Sequence, residues 1–170
     1  MKFVLDIDGV MVHANPHRRV ELEDDGFYKF NNKAVEIFNL MFRTSKDELI
    51  LSTSHRYRYS VNQWKTILKD RGISSRKITI LDVSFSSNLK VTRRKEIETW
   101  ISDNDINYND IVILDDDKSL NELPVGLKQR LCLTNSYTGL NNVEDLKQVV
   151  NRELKSYTKM EYKYYRQTKG

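Results

Sequence analysis

The 170-residue sequence predicts an α/β fold: a mainly parallel, five-stranded central sheet with helices on both faces. Two observations carry this expectation. Short apolar runs alternate about five times with segments of helical period, the pattern of strands joined by crossover helices. Two of those runs end on clustered acids and one on hydroxyls, and in open parallel sheets the carboxyl ends of the strands are where ligands gather.

Lys2 to Leu5 is an apolar run ending at an acidic pair, as a buried strand does. Residues 11–30 keep no period and contain Asp24-Asp25-Gly26, a turn signal, so a hairpin or flap is expected there. From Lys33 to Phe42 the apolar positions Ala34, Val35, Ile37, Phe38, Met41 and Phe42 fit one helix face. Glu48 to Leu51 is a second strand, stopping at Ser52-Thr53-Ser54. Val61 to Asp70 is helical, with Val61, Trp64, Ile67 and Leu68 on one side and Gly72 as C-cap. Lys77 to Val83 is a third strand, and Thr92 to Ile101 a helix with Ile97, Trp100 and Ile101 facing in. Ile111 to Leu114 and Arg130 to Leu133 are the fourth and fifth strands. Asn141-Asn142 then cap a helix whose first turn is acidic, Glu144 and Asp145, and which runs into the C-terminal residues.

Composition bounds the rest. With 39% hydrophobic and 31% charged residues and a mean hydropathy of −0.62, the chain has material for one core. No apolar run approaches the roughly 20 residues of a membrane span, and the chain turns acidic at Asp6, too early for a secretory signal. The single Cys132 excludes an internal disulfide framework and a multi-cysteine zinc site, and it points to a reducing cytoplasm. Its place in Leu131-Cys132-Leu133 reads as a buried strand residue. The net charge of +4 resides in the last twenty residues, where six Lys/Arg face two Glu and four Tyr are interleaved. Residues 1–150 are expected to form one domain, with 151–170 as its basic, Tyr-rich terminal helix or tail. Interleaved Tyr and Lys/Arg suit a nucleic-acid strand. They also suit an amphipathic helix packed on the body, the plainer reading of such a charge run.

The chemistry sits at the strand ends. Asp6 and Asp8 are two apart on extended chain and can converge, and Gly9 lets the chain turn sharply after them. Asp115-Asp116-Asp117 end the fourth strand. Carboxylates crowded on one rim repel unless a cation or proton lies between them, and hard oxygen ligands at that density suit Mg²⁺. The candidate ligands are Asp6, Asp8, Asp115 and Asp116. Ser52 and Thr53 are candidates for holding phosphate oxygens, and Lys90 or Arg94, near the helix feeding the fourth strand, for neutralising them.

These motifs resemble those of the haloacid dehalogenase (HAD) superfamily. The likeness rests on Asp6-Ile7-Asp8-Gly9-Val10 after an apolar strand, Ser52 after Glu48-Leu49-Ile50-Leu51, Lys90 or Arg94 before or in a helix, and Asp115-Asp116. A narrower likeness is to the small HAD domains of Swiss Army Knife RNA repair proteins. It rests on Leu51-Ser52-Thr53-Ser54-His55-Arg56, on Ile97, Trp100 and Ile101, and on Gly139-Leu140, with His55 departing from the aromatic of that pattern. The resemblance implies a HAD-like Rossmannoid fold in which Asp6 attacks phosphorus and Asp8 protonates the leaving oxygen and then activates water. It also implies Mg²⁺ held by Asp6, the backbone carbonyl of Asp8, and Asp115 or Asp116. Ser52 with Lys90 or Arg94 would bind the transferred phosphoryl group.

The intervals after Asp8 and between Ser52 and Lys90 are too short for a cap domain, so the chain is expected to be capless. Capless members of the superfamily tend to act on large substrates. The flap residues His13, Asn15, His17, Arg18 and Arg19 are then candidates to meet a substrate phosphate, or a solvated loop. The expected activity is a Mg²⁺-dependent phosphatase working through an aspartyl phosphate on a phosphorylated nucleic-acid end. The alternatives are a small phosphomonoester as substrate and, from another class, a non-catalytic binding module on the same fold.

Overall fold

The structure, a computed structural model, describes residues 1–85 and 91–151. Five parallel strands form one sheet in the order β3-β2-β1-β4-β5: β1 (Lys2–Leu5), β2 (Glu48–Leu51), β3 (Lys77–Ile80), β4 (Ile111–Asp115) and β5 (Leu131–Leu133). The helices are α1 (Asn32–Met41), α2 (Val61–Asp70), α3 (Arg93–Asp103), the single turn α4 (Val125–Lys128) and α5 (Val143–Asn151). Each long strand-to-strand crossover carries a helix, as parallel pairing requires.

Strand alternation sorts the core into two layers. Phe3, Leu5, Leu49, Leu51, Val112 and Leu114 pack with Phe38 of α1, Trp64 and Leu68 of α2, and Leu146 of α5. Val4, Ile50, Ile111 and Ile113 face the other way, onto Ile97, Trp100 and Ile101 of α3 and Leu127 of α4. The central strands are therefore apolar on both faces. The helices start where side chains satisfy their free N–H groups. Asn31 caps α1, Ser60 forms a capping box with Gln63 at α2, and Thr92 caps α3.

The expected strands and helices are present, with small shifts at their ends. The third strand stops at Ile80 rather than Val83, and the fourth runs on to Asp115. Val61 is exposed at the start of α2 while Trp64, Ile67 and Leu68 are buried. The flap is a hairpin: Leu22 bridges Tyr28 antiparallel, and Gly26 N–H donates to the Glu23 carbonyl. Arg71, at the end of α2, grips it with two bonds to the Asp25 carboxylate at 2.8 and 2.7 Å and a third to the Tyr28 carbonyl. Among the described residues no cap domain interrupts the sheet connections, and no helix is long and apolar enough to cross a membrane. Lys90 and residues 152–170 lie outside the described residues.

Candidate active site

Register and alternation build the site. Leu5 of β1 is level with Leu51 of β2 and Leu114 of β4, so the next residues, Asp6, Ser52 and Asp115, stand side by side at the carboxyl edge. Asp6 N–H donates to the Leu114 carbonyl and Ser52 N–H to the Leu5 carbonyl, both at 3.0 Å, continuing the ladders one step. Asp6 follows Val4 by two residues, Ser52 follows Ile50 and Asp115 follows Ile113. All three therefore belong to the face covered by α3.

Carboxylate oxygens of Asp6, Asp115 and Asp116 lie within 4.8 Å of one another. Asp6 and Asp115 are buried, with 6% and 0% of their surface exposed. One Asp6 oxygen accepts the Ile7 N–H at 2.8 Å, and one Asp115 oxygen accepts the Asp117 N–H at 3.0 Å. Burial drives the pKa of both acids upward; for Asp115 the charge of Asp6 adds to the effect, while the nearby Arg93 guanidinium opposes it. Asp116 is raised by burial and by the charges of Asp117 and Asp8. The Asp117 side chain caps the 3₁₀ turn Lys118–Glu122 by accepting the Ser119 N–H at 2.8 Å, so its part in the cluster is its backbone N–H on Asp115 and its charge beside Asp116.

Among the described residues the cation that reaches the acids is Arg93, the first residue of α3. Its guanidinium lies 3.2 Å from Asp115 Oδ2 and 3.7 Å from Asp6 Oδ2, and it bonds the Ser52 carbonyl and, at 2.9 Å, Glu96. Arg94, a candidate for that role, points elsewhere. It pairs with Glu122 at 2.6 Å and Glu98 at 3.5 Å, because adjacent helix positions lie about 100° apart. The sequence contains a signal for Arg93: it stands four residues before Ile97, on the face that α3 buries.

Ser52 is fully buried with a hydroxyl that has no hydrogen-bond partner, and Asp115 Oδ2 likewise has no hydrogen-bond donor. Thr53 is also buried, and its Oγ1 accepts the His55 N–H at 3.3 Å. Arg56 braces the loop from below, reaching the Ser52 and Thr53 carbonyls at 3.3 and 3.2 Å and pairing with Glu96 at 2.7 Å.

Asp8 is the main departure from expectation. The chain leaves extended geometry after Asp6: the N–H groups of Val10, Met11 and Val12 all converge on the Ile7 carbonyl. The Asp8 carboxylate is therefore carried out of the acid cluster and meets His55, with Oδ2 3.0 Å from Nε2. The side chains that could hold a cation are thus Asp6, Asp115 and Asp116. The residue after Asp8, Gly9, has φ +72°, and a Cβ there would lie 2.1 Å from Asp116 Oδ2. Glycine is what lets the loop and that carboxylate occupy one corner. Thr134 Oγ1 bonds the Gly9 carbonyl at 2.6 Å and Leu140 N–H the Val10 carbonyl at 2.9 Å, fixing this loop from the far side.

A polar groove of about 600 Å³ opens beside the loop. Its lining includes Val12, whose backbone bridges Asp8, with His13, Arg18, Arg19, Lys29 and Tyr137. Of the other flap candidates, Asn15 accepts the His17 N–H at 2.9 Å and serves the turn. Cys132 is buried, and burial pushes its thiol up to about 12, so it is an inert strand residue.

Residues 3–144 match a family described as the HAD domain in Swiss Army Knife RNA repair proteins. The chain belongs to this family. No curated protein and no solved structure matches it. A HAD domain accounts for the arrangement just described: a parallel sheet whose first and fourth strands deliver the acids to one edge.

Proposed function

We propose that this HAD domain is a Mg²⁺-dependent phosphatase acting on phosphorylated nucleic-acid ends. The observation that carries the reading is the buried cluster of Asp6, Asp115 and Asp116 against Arg93. Three carboxylates within 4.8 Å, two of them buried, are unfavourable for folding, and their raised pKa values reflect that. An all-oxygen donor set, in which Asp115 Oδ2 accepts no hydrogen bond and is met by the Arg93 charge at 3.2 Å, fits a hard divalent cation. Asp6, Asp115 or Asp116, and the Asp8 carbonyl would hold Mg²⁺, whose charge would neutralise the phosphoryl oxygens.

In this reading an Asp6 oxygen attacks phosphorus as the bond to the leaving oxygen breaks, and the carboxylic acid of Asp8 gives that oxygen its proton. The Asp8 carboxylate then takes a proton from water. The water oxygen attacks phosphorus, the bond to Asp6 breaks, and inorganic phosphate leaves. Arg93 and the Ser52 hydroxyl bind the equatorial oxygens, whose spread charge makes catalysis chiefly a matter of positioning and electrostatics. The nucleic-acid end is favoured by the open rim without a cap, by the groove with Arg18, Arg19 and Lys29, and by the RNA repair proteins in which the family occurs.

The test is hydrolysis of an aryl phosphate and of oligonucleotides bearing 3′ or 5′ phosphates, with and without Mg²⁺. Asp6→Asn should abolish turnover, because an amide has no anionic oxygen to attack phosphorus. Millimolar Mg²⁺ should raise the melting temperature, at 100 times Kd by the equivalent of about 2.7 kcal/mol, and Asp115→Ala/Asp116→Ala should lose that response. Asp6→Asn activity within tenfold of the native chain, or melting indifferent to Mg²⁺, would sink the reading.

A further inference from the structure

The Asp8–His55 contact is a polar pairing at the rim that neither the metal site nor phosphate binding uses. We infer that His55 is a positioning residue for Asp8, a role that rests on the phosphatase reading above. His55 Nε2 lies 3.0 Å from Asp8 Oδ2; with the ring proton on Nε2 it donates there and leaves Oδ1 as the oxygen that passes the proton to the leaving group.

A carboxylate one residue before a glycine, on a turn, has free rotation about its side-chain bonds unless something holds it. Asp8 is only partly covered, with about a third of its side chain exposed, so burial alone does not fix it. Oδ2 accepts in both states the reading needs, as a carboxylate oxygen and as the carbonyl oxygen of an acid protonated on Oδ1, so His55 is the donor in this bond. His55 is itself held on several sides. Its ring stands edge-on to Phe27 at 5.7 Å and to Tyr28 at 5.3 Å, and its backbone N–H is bonded to Thr53 Oγ1. The Phe27 and Tyr28 rings belong to the hairpin that Arg71 clamps to α2. A chain of fixed groups thus runs from α2 through the flap to His55 and on to one oxygen of Asp8. A donor on Oδ2 sets the plane of the carboxyl group, and a proton-transfer group must be within hydrogen-bond reach and aligned to act.

The experiment compares His55→Phe, which keeps a ring in the slot and removes the donor, with His55→Gln, whose amide can donate over a similar reach. Each is assayed on an aryl phosphate with a good leaving group and on an alkyl phosphate or phosphorylated oligonucleotide with a poor one, alongside Asp8→Asn and a melting curve. Proton donation matters most for poor leaving groups. His55→Phe should therefore lower kcat on the poor leaving group at least tenfold and on the good one by threefold or less, with KM changed less than threefold. His55→Gln should recover most of the loss. Equal effects of His55→Phe on both substrates, no effect, or a folded His55→Gln as slow as His55→Phe would overturn the positioning role. No turnover by the native chain, or Asp8→Asn as active as it, would instead overturn the phosphatase reading itself.

Discussion

Asp6 and Asp115 make the site a liability when no cation is bound. Each has a folded-state pKa raised above its ordinary 3.8, by burial first and then, for Asp115, by the charge of Asp6. Between the ordinary value and the raised ones the folded chain binds more protons than the unfolded chain. Stability therefore falls as pH rises through that window and is recovered on acidification toward about pH 5. With EDTA present, the melting temperature should be higher at pH 5.5 than at pH 8. Saturating Mg²⁺ should help more at pH 8, because it competes with those protons. A metal-free melting temperature that climbs from pH 5.5 to 8 would contradict the cluster's electrostatics. Gly9 tests the same corner sterically. Gly9→Ala places a methyl 2.1 Å from Asp116 Oδ2 at a φ of +72°. The backbone term alone costs on the order of 1–2 kcal/mol. The displaced carboxylate should weaken Mg²⁺ affinity at least tenfold in a thermal-shift titration, and an unchanged midpoint would show that Asp116 is not a ligand.

Elements with several turns or two buried faces are plain in the sequence, because their period is repeated often enough to see. The single turn α4 and the 3₁₀ turns are too short for any period. At the site, Asp6, Ser52, Asp115 and Asp116 follow from strand ends alone, since parallel register puts successive strand termini level. Two things do not follow. Whether Asp8 joins Asp6 depends on where the chain leaves extended geometry, which the converging bonds to the Ile7 carbonyl decide. Which arginine of the Thr92-Arg93-Arg94 start enters the site depends on helix phase, and one residue of uncertainty in the start exchanges the two. The structure starts α3 at Arg93 and aims it inward. Arg93→Ala should accordingly lower kcat/KM for an aryl phosphate by about 10²–10³, the range for removing one preorganised charge donor. Arg94→Ala removes the partly exposed pair with Glu122 and the longer pair with buried Glu98, so it should stay within threefold in activity and cost about 1 kcal/mol in stability. The reverse order in steady-state kinetics would reassign the phosphate-binding cation.

At the scale of the whole molecule, charge is divided unevenly. Residues 1–150 are formally neutral, and the excess of +4 lies in the last twenty. The body nonetheless gathers Arg18, Arg19 and Lys29 around the groove that Val12 also lines. A nucleic-acid substrate would therefore meet two basic regions, the groove near the rim and the C-terminal residues. Each phosphate neutralised releases condensed counterions, so log affinity for a single strand should fall with log salt by roughly 0.7 per contact. Three or four tail contacts correspond to a slope of about −2 to −3. Stacking by Tyr157, Tyr162, Tyr164 or Tyr165 would add a salt-independent part of about 1–3 kcal/mol per base. Truncation after Asn151 should then weaken oligonucleotide binding and flatten its salt dependence, while aryl phosphate hydrolysis persists, since Asp6, Asp8, Asp115 and Arg93 are untouched. Arg18→Ala/Arg19→Ala in the full chain should reduce the slope by about one to two contacts and leave aryl phosphate turnover alone. Salt-titrated binding with a melting curve for each variant separates this from a purely structural tail, whose removal lowers the melting temperature and leaves affinity as it was. No oligonucleotide binding by the full chain at low salt would end the case for the tail as a nucleic-acid contact.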